Sequence, residues 1–267
     1  MPSDDPISQV KFLIESDERQ RSAGSKVVQG ILKLCLVVPF LREELSAVER
    51  PLDMIADMIQ GWREENALYL LDVLVDEVQS LNLKIENISK ARQTFIQNDW
   101  LKLVIEGAAR AQQTRAKERV AMLAKVLAYA FNEGERRSPN TTEEMMRVAL
   151  SVDREDILVL SWLCDGVKED YIPASGQVNH EAVNSFWGQV DEQGRTRSSG
   201  EPAAPAGLSP GDLMSACAKL QAFGLVVQVR PNQFKVSPGT LPYGPLKKGY
   251  EFLDYLRAES RPPGTAI

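Results

Sequence analysis

The chain has 267 residues and a formal net charge of −6, with 43% hydrophobic and 25% charged residues. This composition is ordinary for a globular protein of one large or two medium domains. The acidic balance argues against a general polyanion binder, because such proteins carry an excess of Lys and Arg.

No targeting or membrane segment is expected from the sequence. The polar, acidic start Met1–Pro6 is unlike a signal peptide, and the longest apolar run, Ile31–Leu41, is shorter than the roughly 20 residues of a membrane span. The three cysteines lie in apolar runs and match no metal or redox spacing, which predicts buried free thiols and a cytoplasmic location. They are Cys35, Cys164 and Cys217.

The first half of the chain has helical periodicity. A helix is predicted from about Ser25 to Phe40, and a long central helix from Pro51 to Ile88, with a bend near Gly61. At 1.5 Å per residue the long helix would extend roughly 55 Å, which one neighbour cannot cover. The pattern therefore predicts an antiparallel bundle or a dimer seam.

Shorter helices follow, each after residues that favour a helix start. They are predicted over Trp100–Gln112 after Asn98 or Asp99, over Arg115–Phe131 after Thr114, and over Met145–Leu150 with Thr141 and Glu144 as a capping box. Residues 1–152 are predicted to form one helical bundle.

A second domain is predicted over residues 153–267. Asp153 and Asn179 are predicted to cap two helices, whose apolar positions include Trp162 and Phe186. Residues 191–207 are rich in Gly, Ser and Pro and predict a flexible loop.

The segment Leu208–Leu256 has the clearest pattern. Ser209 and Pro210 predict a helix start, and Gly224 predicts its end in a left-handed conformation. Alternation then predicts a hairpin over Val226–Val236 that turns at Pro231-Asn232, and Pro245 is predicted to open a final helix with Leu246, Gly249, Tyr250, Leu253 and Leu256 on its buried side.

These residues resemble a known family. The run from Leu213 through Leu220-Gln221-Ala222-Phe223-Gly224-Leu225-Val226 resembles the recognition helix and first wing strand of MarR-type winged-helix domains, and Gly244–Leu253 resembles the helix start after the wing. The resemblance implies a winged-helix-like α+β domain with a small β-hairpin. Together with the helical periodicity of the first half, it predicts a mainly α chain in which a bundle with a long central helix precedes that domain. It implies binding to DNA or to another protein.

Departures from that family favour a protein partner over DNA. About 18 residues separate the predicted helices that a helix-turn-helix would join by 3–4 residues. The outward positions Asp212, Ser215, Lys219 and Ala222 offer one cation and one anion, whereas base reading usually needs Arg, Asn or Gln. The candidate contacts to nucleic acid or a partner are Arg195, Arg197, Ser215, Lys219, Arg230, Lys235, Lys247 and Lys248.

The first half has a fainter resemblance to uncharacterised bacterial helical proteins near the abortive-infection alpha group. It rests on the apolar stretch Leu34–Phe40, the helix around Trp100, Val104 and Ala108, and the charged-then-apolar helix Arg115–Ala124. The resemblance implies a phage-defence or stress context and assigns no catalytic residue.

A local basic excess marks one helix of this half. The sharper interpretation is a site for phosphate or an acidic partner, and the favoured one is a solvated helix face. The cations are Arg110, Arg115, Lys117, Arg119 and Lys125, against Glu118.

Nothing in the sequence indicates a reaction. His180 is the only histidine, and no phosphate loop, dinucleotide fingerprint or metal-ligand spacing is present. We therefore expect a non-enzymatic interaction protein without catalytic residues, metal, cofactor or small-molecule site, which binds a protein partner, itself or both. The alternatives are a DNA-binding regulator and a membrane-acting effector that releases an apolar helix over residues 27–41.

Overall fold

The computed structural model describes residues 34, 64–81, 89–134, 138–167, 180–188, 208–229 and 242–257. They fall into two compact units, divided between Ser151 and Val152. Most of the described residues are helical, with one small antiparallel sheet, so the predicted fold class is confirmed. Within the described ranges, no helix is long and apolar enough to cross a membrane.

The regular elements of the first unit that the structure describes are all helical. The described elements are α1 Glu64–Ser80, α2 Lys90–Phe95, a π-helical turn Ile96–Trp100, α3 Leu101–Ala111, α4 Lys117–Glu133 and α5 Pro139–Ser151. Helix α4 packs against α1 and α5, and α1 also packs against α3. Trp100 is fully buried at the centre, where its Nε1 donates to the carbonyl of Leu127 at 2.8 Å.

The predicted central helix ends earlier than its apolar pattern indicated. Helix α1 stops at Ser80, whose hydroxyl donates to the carbonyl of Glu77 at 2.7 Å, and Leu81 lies in a turn. A side-chain donor to a terminal carbonyl is a common way to satisfy the end of a helix. Residues 51–63 and 82–88 of the prediction lie outside the described residues.

The predicted helix start at Asn98 or Asp99 is wrong. Helical backbone runs from Lys90 to Ala111, with these two residues inside the π-helical turn, and the cap is Ser89, whose hydroxyl accepts from the amide of Arg92. The apolar stripe of this helix extends back to buried Phe95. Burial of that stripe outweighs the local capping preference of Asn and Asp.

Two other predicted starts are also displaced. Thr114 does not cap α4, because its hydroxyl donates back to the carbonyl of Arg110 at 3.3 Å, and α4 begins at Lys117. Helix α5 begins at Pro139 rather than near Met145, with the hydroxyl of Ser138 accepting from the amide of Asn140. Proline is favoured in a first helical turn because it has no amide that would lack a partner there.

The second unit combines helices with the small sheet. Its described elements are α6 Arg154–Val167, α7 His180–Gly188, α8 Pro210–Ala222, β1 Val226–Gln228, β2 Tyr243–Pro245 and α9 Lys247–Leu256. Helix α6 is central, since it packs against α7, α8, α9 and β2. Residues 168–179, 189–207 and 230–241 lie outside the described residues, and with them the predicted cap Asn179 and the predicted loop 191–207.

The end of α8 follows the prediction closely. Gly224 has a φ of +67°, its amide donates to the carbonyl of Gln221, and the amide of Leu225 donates to that of Leu220. This pair of hydrogen bonds is the Schellman motif, which needs a residue that tolerates left-handed backbone. It turns the chain directly from α8 into β1.

The hairpin differs from the prediction in its second strand. Val226, Val227 and Gln228 pair with Pro245, Gly244 and Tyr243 in an antiparallel register. The predicted return strand over Phe234–Val236 lies outside the described residues. A local alternation pattern finds a strand, but it cannot find the partner of that strand at a distance.

Pro245 was predicted to open the last helix, and this is wrong. Pro245 ends β2, opposite Val226. The next pair along the ladder is hydrogen-bonded, since the amide of Leu246 donates to the carbonyl of Leu225. Because hydrogen-bonded pairs alternate with non-bonded ones in an antiparallel sheet, the position of Pro245 needs no amide donor. Helix α9 therefore begins at Lys247.

The buried side of α9 also differs. Gly249 and Leu253 are buried as predicted, whereas Leu246, Tyr250 and Leu256 are half-buried. Phe252 and Tyr255, which the prediction omitted, are fully buried.

Candidate interaction surface

Helix α8 carries the candidate surface, and its first turn is fixed by a capping box. The hydroxyl of Ser209 accepts from the amide of Asp212 at 3.2 Å, and the carboxylate of Asp212 accepts from the amide of Ser209 at 3.3 Å. The side-chain and backbone hydrogen bonds from Ser209 hold the pKa of Asp212 below its ordinary value. Asp212 is therefore a carboxylate at neutral pH, and its negative charge interacts favourably with the positive end of the helix dipole.

The buried and exposed sides of α8 have different compositions. Leu213, Ala216, Cys217 and Leu220 are buried, and Phe223 is half-buried. The exposed residues, which we call the α8 outer face, are Gly211, Asp212, Ser215, Ala218, Gln221 and Ala222. This face consists of small or polar side chains with one negative charge.

Lys219, the single cation of α8, is paired within its own unit. Its Nζ donates to the carboxylate of Asp153 at 3.0 Å and also to Asp156. Burial opposes the charged form of Lys219, but the hydrogen bonds and charges of Asp156 and Asp153 outweigh it and raise its pKa. The charge of this candidate contact residue is thus balanced by two carboxylates.

The same two aspartates cap α6. The carboxylate of Asp153 accepts from the amides of Glu155 and Asp156 at 3.1 Å, as predicted for the cap, and the carboxylate of Asp156 accepts from the amide of Asp153 at 2.8 Å. Burial tends to raise the pKa of Asp153, but the hydrogen bond from Lys219 and those within the cap lower it overall. Lys219 therefore joins α8 to the first turn of α6.

The lysines of α9 differ from each other. Lys248 donates from Nζ to the carbonyl of Phe223 at 2.7 Å. This carbonyl is at the carboxyl end of α8, where a cation interacts favourably with the negative end of the helix dipole. Lys247 is exposed at the first position of α9. The candidate contacts Arg195, Arg197, Arg230 and Lys235 lie outside the described residues, and Ser215 is exposed at the centre of the α8 outer face.

Two cations of the basic group predicted from the sequence form ion pairs within the first unit. Arg110 bridges Glu106 and Glu143, which joins α3 to α5. Lys117 pairs with Glu65 at 2.7 Å and lies 5.7 Å from the ring centroid of Tyr69. These pairs account for much of the local basic excess that the sequence showed.

The other cations of this group have different surroundings. Lys125 lies 3.7 Å from Glu77, the polar residue in the apolar stripe of α1, and Arg115 is exposed. The Nε of Arg119 is buried and, among the described residues, has no hydrogen-bond partner. The cations therefore do not converge on one common site.

His180 and Cys217, two residues of types that often perform chemistry, differ in exposure. His180 is exposed at the start of α7, and burial raises the pKa of Cys217 to about 12, which keeps it a thiol at neutral pH. Over the described ranges, no three side chains of the His, Cys, Asp and Glu types come together as metal ligands.

Sequence reasoning missed one exposed apolar feature on α6. Leu158 is 44% exposed and lies one turn before the half-buried Trp162, whose ring centroid is 4.8 Å from that of Phe186 in α7. A Cβ on Gly166 would lie 2.1 Å from the ring of Phe186, so the missing side chain lets that ring pack on α6. The spacing of Leu158 and Trp162 was visible in the sequence, but which face of α6 stays exposed depends on the packing of α7, α8 and α9.

Comparisons with protein-family models, with curated proteins and with solved structures found no match for this chain.

Proposed function

We propose that this chain is a non-enzymatic interaction protein that binds a protein partner through the α8 outer face. The observation that carries the proposal is the charge of α8. Asp212 is the one charged residue of that face, and Lys219 is already paired with Asp153 and Asp156.

The position of Asp212 favours a protein over DNA as the partner. A recognition helix brings its N-terminal residues to the base edges, close to the phosphates. Asp212 lies in the first turn of α8 and is ionised at neutral pH, so it would repel the phosphate backbone. Gln221, which could pair with adenine, lies at the opposite end of the helix.

The rest of the outer face suits close contact with another protein. Gly211, Ala218 and Ala222 let a partner backbone approach α8, while Ser215 and Gln221 offer hydrogen bonds. The two ends of the helix are held by the Ser209 capping box and the Schellman turn, so the face is rigid before binding. We expect the partner to place a neutral or basic group near Asp212.

Site-specific photo-crosslinking tests this proposal. A benzophenone side chain at Ser215 should crosslink a protein, and the same group at Gln113, exposed in the first unit, should not crosslink it. The captured protein is then purified and its affinity measured by calorimetry. Ser215→Arg should weaken binding at least about tenfold, which is 1.4 kcal/mol, whereas Gln113→Arg should leave the affinity unchanged.

DNA binding is the outcome that would overturn the proposal. Fluorescence anisotropy with duplex DNA at low salt would then show binding that weakens as salt increases. It would also weaken in Arg230→Ala and Lys235→Ala, or in Arg195→Ala and Arg197→Ala. Failure of Ser215→Arg to affect the captured protein would likewise reject the α8 outer face. The phage-defence context and the membrane-acting alternative stay predictions from the sequence, and liposome leakage tests the latter.

A further inference from the structure

The turn that ends α8 is contacted by the start of α9 in three ways. The Nζ of Lys248 donates to the carbonyl of Phe223 at 2.7 Å, and the amide of Leu246 donates to the carbonyl of Leu225 at 2.9 Å. Gly249 lies so close to this turn that a Cβ there would be 2.5 Å from the carbonyl oxygen of Leu225. We call Leu246, Lys248 and Gly249 the α9 clamp.

The bond from Lys248 completes what the Schellman turn leaves open. The turn itself satisfies the carbonyls of Leu220 and Gln221, which accept from amides within it. The carbonyl of Phe223, the C-cap residue, accepts from Lys248 instead. A hydrogen bond from an ionised donor is about twice as strong as a neutral one, and the cation also meets the negative end of the helix dipole. The end of α8 is therefore fixed by a residue 25 positions later.

The two ends of α8 are held by different means. At the amino end, the capping box joins Ser209 and Asp212, three residues apart, and it needs no other element. At the carboxyl end, the α9 clamp reaches the turn from outside the helix. Loss of the clamp should therefore loosen the carboxyl end of α8 and leave the amino end as it is.

The carboxyl end carries part of the α8 outer face. Gln221 and Ala222 are exposed and directly precede the C-cap Phe223. Side chains that are already ordered cost less entropy when a partner binds them. We propose that Lys248 is a positioning residue for partner binding: through the carbonyl of Phe223 it fixes the end of α8 that presents Gln221 and Ala222. This inference rests on the proposed function and makes that binding depend on α9.

Amide hydrogen exchange of the full chain, resolved by NMR, tests the positioning without a partner. The amides of residues 223–225 report on the turn, because each donates to a carbonyl of α8. In Lys248→Met they should exchange at least about tenfold faster, while the amide of Leu213 in the first turn should not change. Lys247→Met, which removes the same charge from the exposed neighbouring lysine, should leave residues 223–225 as in the wild type.

Partner affinity gives the second measurement, by calorimetry with the protein captured at Ser215. Lys248→Met should weaken binding about threefold to tenfold, because the loosened end must be ordered again on binding. Lys248→Arg keeps a charged donor and should restore both the affinity and the slow exchange. Lys102→Met, at an exposed position of the first unit, should not change the affinity. Gly249→Ala separates α9 from the turn without changing a charge, and it should also weaken binding.

The outcomes separate this inference from the proposed function. Unchanged exchange at residues 223–225 in Lys248→Met, or equal acceleration at Leu213, would overturn the positioning role of Lys248. An affinity that Ser215→Arg weakens but Lys248→Met leaves unchanged would overturn this inference alone. An affinity that Ser215→Arg does not change would reject the α8 outer face itself, and with it the proposed function.

Discussion

Replacing Lys219 with Met should destabilise the second unit, because it leaves two aspartates at the start of α6 without their cation. The carboxylate of Asp156 is 5% exposed and that of Asp153 is 44% exposed, while the side chain of Lys219 is 34% exposed. Loss of one member costs about 3–5 kcal/mol in a buried pair and up to about 1 kcal/mol at the surface. With solvent reaching both Lys219 and Asp153, we expect a loss of about 2 kcal/mol.

Hydrogen exchange resolved by peptide measures this loss in each unit separately. The amides of α6 and α8 should exchange faster in Lys219→Met, and those of α4 should not change. Lys117→Met is the matched control, since it breaks a lysine–carboxylate pair of similar length at an exposed site. Equal effects of the two substitutions would refute the role assigned to partial burial.

The pH dependence of this difference follows from two pKa shifts. The folded chain holds the pKa of Asp153 below its ordinary value of 3.8, so its contribution is present above pH 3.8 and disappears as the pH falls through the folded pKa. The pKa of Lys219 lies above its ordinary 10.5, so its contribution is present below pH 10.5 and disappears as the pH rises through the folded pKa. The stability gap between wild type and Lys219→Met should therefore be constant near neutral pH and shrink at both extremes.

Other predictions concern close packing, capping and thiol reactivity. Gly249→Ala would place a Cβ 2.5 Å from the carbonyl oxygen of Leu225, just before β1. The packing cost of about 1–3 kcal/mol should exceed the helix-propensity gain of about 1 kcal/mol, so the free energy of unfolding in urea should decrease. In Gly211→Ala the new Cβ meets no atom closer than 3.7 Å, so the free energy of unfolding should stay equal or increase. Arg92→Met should lower stability by about 1–2 kcal/mol, because Arg92 donates twice to the carbonyl of Phe131 at the end of α4; a melting temperature equal to that of the wild type would contradict this. Iodoacetamide should label Cys217 in urea but not in the folded chain, as read by peptide mass spectrometry, because burial raises its pKa to about 12.

Local signals predicted those parts of the fold that depend on neighbouring residues. The capping box at Ser209, the cap at Asp153 and the left-handed Gly224 involve groups at most five residues apart in the chain. The partners in each motif are near neighbours in the chain, so a short stretch of sequence is enough to predict it.

Predictions failed where distant packing decides the outcome. The sequence gives no reason to continue a helix through Asn98 and Asp99, since the burial of Phe95 depends on other helices of the unit. The pairing of β1 with Tyr243–Pro245 likewise depends on residues outside the local alternation.

The candidate surface shows the same limit. Lys219 was correctly placed outside the buried stripe of α8, but its partner Asp153 lies 66 positions earlier. Helical periodicity identifies which side chains can point outward. It does not identify which of them find a partner in the same domain.

The contacts of α6 have a consequence for how the chain matures. The carbonyl of Cys164 accepts from the hydroxyl of Tyr250, 86 positions later, and Ser161 accepts from Arg257, 96 positions later. During synthesis α6 therefore leaves the ribosome long before α9, the element that completes its packing. A nascent chain stalled before α9 would keep part of α6 uncovered, so we expect chaperones to bind this unit until α9 has been synthesised.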